Sequence, residues 1–161
     1  MPHIKDPPED QQASDSLRIT IEDRRRQLLW LGFLLFLLGL IVGFIEQTFA
    51  NPRMGLAVHL EGLMNGIFLI ALGAIWTEIK LPARPKAVAY WGALYGAYGN
   101  CMITSFAAVF GTAAMTPITA AGHRGQPWQE HVVTFGFASV GIAIVTAVTV
   151  ILWGLRRHAR P

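Results

Sequence analysis

Charge is scarce in this chain. Only 14% of its 161 residues are Asp, Glu, Lys or Arg, where a soluble domain carries about a quarter. Cysteine is scarcer still: Cys101 stands alone, which excludes an internal disulfide and a cysteine-cluster zinc site. The first long apolar run lies behind a polar stretch, Pro2–Asp23. That stretch lacks a basic start and a small-residue cleavage site, so no secretory signal is expected. We find no internal repeat and no segment that reads as a soluble domain. The net charge of +3 is spread over ends and short loops, a topology signal that excludes a nucleic-acid patch.

Apolar residues are abundant instead, at 53% of the chain, with a mean hydropathy of +0.42. A bilayer core needs about 20 mostly apolar residues per helix. Four segments meet that need: residues 28–49, 55–77, 87–113 and 132–155. The expected fold is an all-α integral membrane bundle of four transmembrane helices, a domain covering residues 27–155. A polar leader (1–26) precedes it, disordered around Pro7 and Pro8, with a short surface helix over Asp15–Arg26. A basic tail (156–161) follows.

Lys and Arg in short flanks set orientation. Arg24, Arg25 and Arg26, then Lys80, Arg84 and Lys86, then Arg156, Arg157 and Arg160 mark one side; the other has only Arg53 and Arg124. Both termini are therefore expected in the cytoplasm. The polar residues then gather in the outer half: Glu46 and Gln47; His59, Glu61 and Asn65 within "AVHLEGLMNG"; Asn100, Thr104 and Ser105; and the loop "AAGHRGQPWQEH".

At 100° per residue, Gly55, His59, Gly62, Gly66 and Gly73 share one stripe of the second segment. Such glycines serve close helix packing, or they leave beside the histidine a flat space of the kind a planar macrocycle fills. A buried imidazole needs a polar or metal partner. Glu61 and Asn65 lie on a neighbouring face. The third segment has a thin face of Gly92, Gly96 and Gly99, an aromatic face with Trp91, Tyr95, Tyr98 and Met102, and a small face with Ala93, Ala97, Asn100 and Thr104. Tyr90 and Trp91 read as interfacial anchors, whereas the Tyr95 and Tyr98 hydroxyls lie deeper and need partners. Asn100 is either an interhelical hydrogen-bonding group or a functional one. Pro127, Trp128 and Glu130 read as a helix start with its acid in the first turn; His123 reads as a turn residue.

The stretches "HLEGLMNGIFLIALGAIW", "LYGAYGN" and "GHRGQPWQE" resemble the family of small membrane isomerases that includes styrene oxide isomerase and hydroxylaminobenzene mutase. The resemblance spans residues 28–155 and is most specific at the histidine followed six residues later by Asn-Gly. It implies a homotrimer in a bacterial inner membrane holding haem b between subunits. His59 would be the axial ligand, with Gly62 and Gly66 against the cofactor. Asn65 and Asn100 would line the active site, joined by Tyr95 and Thr104.

Styrene oxide isomerases carry an aspartate and a tyrosine where this chain has Gly96 and Thr104, and the "HRGQPWQE" loop looks like the mutase branch. The resemblance thus implies conversion of a small aromatic substrate, hydroxylaminobenzene, to 2-aminophenol with haem iron as Lewis acid. Epoxide-to-aldehyde rearrangement is the alternative, and a non-catalytic b-type haem protein is a second. A transporter is disfavoured by the absence of broken, repeated helices. The roles of Glu61, His123, Glu130 and His131 stay open at this level.

Overall fold

The computed structural model describes residues 9–156. Among these every regular element is helical: α1 (Glu9–Ile45), a 3-10 turn (Glu46–Thr48), α2 (Pro52–Ala74), α3 (Ala83–Phe110), a single turn α4 (Pro117–Ala120) and α5 (Pro127–Arg156). Three segments, Ile21–Thr48, Pro52–Ala74 and Pro127–Arg156, are long and apolar enough to cross a membrane. α3, diluted by tyrosines, glycines and Asn100, is not among them.

Helix ends follow local chemistry. Asn51 caps α2: its Oδ1 accepts from the N–H groups of Arg53 and Met54, and Pro52 opens the first turn. That signal places the start three residues ahead of the expected Gly55. α3 stops at Gly111, which takes the left-handed conformation at φ 61°, so the expected run to Ala113 is cut short. α5 begins at Pro127 with Glu130 in its first turn, as expected.

The N-terminal leader differs from expectation. α1 is continuous from Glu9 into the first apolar segment, because no Gly or Pro interrupts the chain between Glu9 and Gly32. Glu9 and Asp10 are thus helical, and Asp15–Arg26 is part of a longer helix rather than a separate surface piece. Pro7, Pro8 and the tail from Arg157 lie outside the described residues.

α1 packs on α2, α2 on α3, and α3 on α5. Two apolar cores result. One gathers Leu28, Leu35, Leu69, Trp76, Ile79 and Tyr90. The other, at the end nearer Asn51, gathers Met54, Val58, Ala107, Ala108 and Val133. Outside them, large apolar side chains face away from the bundle: Phe44 is 89% exposed, Phe135 74% and Ile142 71%. Water would penalise such a surface; lipid does not.

Candidate functional site

The glycine stripe of α2 meets a glycine stripe of α1. A Cβ built on Gly62 would stand 2.5 Å from the Cα of Gly39, and one on Gly66 would stand 2.7 Å from the backbone nitrogen of Phe36. The flat space expected beside Gly62 and Gly66 is therefore filled by the α1 backbone. Within one chain, these two glycines permit close helix packing.

His59 sits in the part of the same seam nearer Asn51. Its Nδ1 is 2.8 Å from the carbonyl oxygen of Gly39, and its ring lies against Gly43, where a Cβ would stand 2.6 Å from Nδ1. A carbonyl can only accept, so Nδ1 carries the proton. In the neutral ring, Nε2 then keeps its lone pair. A metal-binding histidine is oriented by this kind of backbone contact.

The opposite side of α2 forms a polar seam with α3. Glu61 is half-buried there and its carboxyl meets the side chains of Thr104 and Asn100. Thr104 is 1% exposed and donates to the carbonyl of Asn100 at 3.0 Å. One turn along, the Asn65 amide donates to the carbonyl of Ala97 at 3.3 Å. The Oε2 atom of Glu61 is buried and has no hydrogen-bond partner. A carboxyl oxygen left this way between two apolar helices is costly. Glu61, Asn65, Asn100 and Thr104 thus share one seam.

Tyr95 does not join them. It is 51% exposed and its hydroxyl meets Ser139 on α5 at 2.7 Å, while Tyr98 donates to the Leu31 carbonyl on α1. The expected thin face is observed: Gly92, Gly96 and Gly99 lie against Ala147, Ile144 and Val140 of α5. Tyr90 departs from its reading as an interfacial anchor. It is buried, 3% exposed, and donates to Gln27 at 2.7 Å.

The loops at the Asn51 end of the bundle are tied by two side chains. Glu130 accepts from the N–H groups of Ala113, Ala114 and Gly125. Asn51 donates to the carbonyls of Thr119 and Ala120. His123 is exposed, with Nδ1 2.9 Å from the Ala120 carbonyl, and His131 is exposed on the first turn of α5. No group of three or more His, Cys, Asp or Glu side chains suited to a metal ion occurs among the described residues.

A model of the styrene oxide isomerase family matches residues 24–156. The chain belongs to that family. Two relatives are hydroxylaminobenzene mutases of Ectopseudomonas oleovorans. HabB is 43% identical over 132 residues, covering 81% of this chain and 80% of that protein. HabA is 40% identical over 127 residues, covering 78% and 94%. No solved structure matches the chain. For a member of the styrene oxide isomerase family, the departures at Gly96 and Thr104 acquire a structural setting. Gly96 is spent on packing against Ile144, and Thr104 is a buried partner of the Asn100 carbonyl.

Of the four residues whose roles the sequence leaves open, Glu61 is the one inside the polar seam. An acid inside an apolar helix is a functional candidate by default, and its rotation away from His59 sets it apart from the histidine.

Proposed function

We propose that the protein is a membrane-embedded isomerase that converts hydroxylaminobenzene-type arylhydroxylamines to 2-aminophenols. The observation that carries this reading is the likeness to two hydroxylaminobenzene mutases over about four-fifths of the chain. The buried polar seam of Glu61, Asn65, Asn100 and Thr104 gives the reaction a place.

We further propose that α3 spans the membrane with the other three long helices. It runs between α2 and α5 in the bundle, and its 28 residues reach about 42 Å at 1.5 Å per residue. The ends of α1 and α5 that lead to the termini then face the cytoplasm, because Arg24–Arg26, Lys80, Arg84, Lys86 and Arg156 collect at one end. A bacterial inner membrane suits this charge pattern.

His59 is the residue that would hold a haem b, the group the family resemblance implies. Nδ1–H is engaged by Gly39, which leaves Nε2 as the ligating atom, and exposed His123 and His131 offer no second ligand from within the bundle. When bound, the haem would supply an iron centre able to act as a Lewis acid. The α1 backbone occupies the space at Gly62 and Gly66. With that space taken, His59 is the residue of the seam that would hold a haem, and we propose a homotrimer as the assembly.

The chain's own groups account for the rest. Isomerisation breaks the N–O bond and forms a C–O bond at the ortho carbon. The proton on that carbon leaves and the nitrogen gains one, so the composition is unchanged and no oxidant or reductant is needed. Asn65 and Asn100 orient the ring and the hydroxylamino group through their amide dipoles. Glu61 Oε2, the oxygen without a partner, takes the ortho proton and returns it to nitrogen. The apolar helices exclude water that would capture the cationic ring elsewhere.

The epoxide-to-aldehyde rearrangement is the second reading, favoured by the name of the matching family. It ranks lower because Gly96 brings no acid and Thr104 no phenol to the site. The test is hydroxylaminobenzene labelled with heavy oxygen in the N–OH group. Retention of the label in 2-aminophenol is expected; oxygen taken from solvent water would overturn the intramolecular transfer.

A further inference from the structure

The end of the bundle remote from Asn51 holds a cavity of about 240 Å³, lined by Ile21, Arg24, Trp76, Leu81, Lys86 and Tyr90 among others. It brings together residues that no step of the isomerisation uses. Arg24 comes from α1, Lys86 from the start of α3, and Trp76 from the turn that ends α2.

Two cations share this cavity without an acid. The Arg24 guanidinium lies 4.2 Å over the Tyr90 ring and 5.3 Å from that of Trp91, and among the described residues its N–H groups have no acceptor. The Lys86 ammonium donates to the Ile79 carbonyl at 3.0 Å and lies 5.3 Å from the Trp76 ring. The ion pair found among the described residues is Arg25 with Glu22, so neither cation is paired with an acid among them. An independent observation points the same way. Trp76 is 1% exposed, and its indole N–H is buried without a hydrogen-bond partner. A buried donor is normally satisfied.

We propose that this cavity binds the phosphodiester headgroup of an acidic phospholipid. The anion would lie between Arg24 and Lys86, with the Trp76 N–H as a further donor, and the acyl chain along Ile21 and Leu81. A phosphate group supplies the acceptors these groups lack. The apolar walls select a phosphate that carries hydrocarbon over a free ion. The location agrees, because basic pockets between helices at the cytoplasmic face recruit anionic headgroups. This site does not depend on the mutase reading or on haem.

The test is native mass spectrometry of the full-length, delipidated protein offered phosphatidylglycerol, phosphatidylcholine or inorganic phosphate. Wild type is expected to retain one phosphatidylglycerol per chain with a preference over phosphatidylcholine of about tenfold or more. Arg24→Gln and Lys86→Gln, read separately, are expected each to lower that preference by about fivefold, and Arg24→Lys to keep most of it. Equal retention of the two lipids by wild type overturns the proposal, and that arm needs no variant to fold. Unchanged retention in both glutamine variants overturns it as well. Displacement of phosphatidylglycerol by inorganic phosphate at equal concentration would assign the site to a free anion instead.

Discussion

His59 Nδ1 meets the carbonyl oxygen of Gly39 at 2.8 Å across the α1–α2 seam. A backbone acceptor on one helix thereby sets the tautomer and ring direction of a histidine on another. The contact exists because α1 carries glycine at 39 and 43, where any Cβ would collide with α2. The glycine stripe and the histidine, which the sequence presents side by side, form one device: the glycines bring the backbone close and the backbone orients the ring.

The first prediction follows from the proposal that His59 Nε2 would ligate a haem. His59→Ala is expected to give folded, membrane-inserted protein without haem and without turnover. The pyridine haemochrome of the purified variant reads it, and full haem occupancy in that variant would refute the ligand assignment.

Gly43 tests the orientation itself. In Gly43→Ala the new methyl meets Nδ1 at 2.6 Å, so the ring must move while the ligand stays. Haem occupancy is expected to fall partway, with a shifted Soret band. A variant with wild-type spectrum and affinity would show that the seam does not govern the histidine.

Glu61→Gln preserves size and removes the proposed proton acceptor. Fold and haem content are expected to persist while kcat falls by about 10²–10⁴. Ring-deuterated substrate should show a larger isotope effect than in wild type. Undiminished kcat would remove Glu61 from the reaction.

Asn65→Leu separates positioning from packing. The hydrogen bond its amide donates to the Ala97 carbonyl contributes only about 0.6–2 kcal/mol in a membrane. Oligomer size and haem are therefore expected to survive while turnover drops by about 10²–10³. Dissociation or loss of haem would make Asn65 a packing residue.

The apolar segments were legible because each span is a simple count of residues, and all four became helices. The errors sit at the ends. Asn51-Pro52 and Gly111 are capping signals that hydropathy does not register, and an uninterrupted polar stretch lets α1 extend back to Glu9. The polar residues were also legible, but their grouping was not. Helical periodicity gives the angle between His59 and Glu61 without saying which neighbour each faces. In the fold they serve different seams, with His59 toward α1 and Glu61 toward α3. The same gap explains Gly62 and Gly66, whose partners are Gly39 and Phe36 on another helix. It also explains Tyr95, which periodicity placed on an aromatic face and the structure turned to Ser139 on α5.

Substrate choice is read by kcat/KM of one purified preparation for hydroxylaminobenzene and for styrene oxide, side by side. Gly96 and Thr104 stand in place of an acid and a phenol. The expectation is therefore 2-aminophenol formed at least about a hundredfold more efficiently than phenylacetaldehyde, the loss expected from missing acid–base groups. A preference for the epoxide would contradict the account.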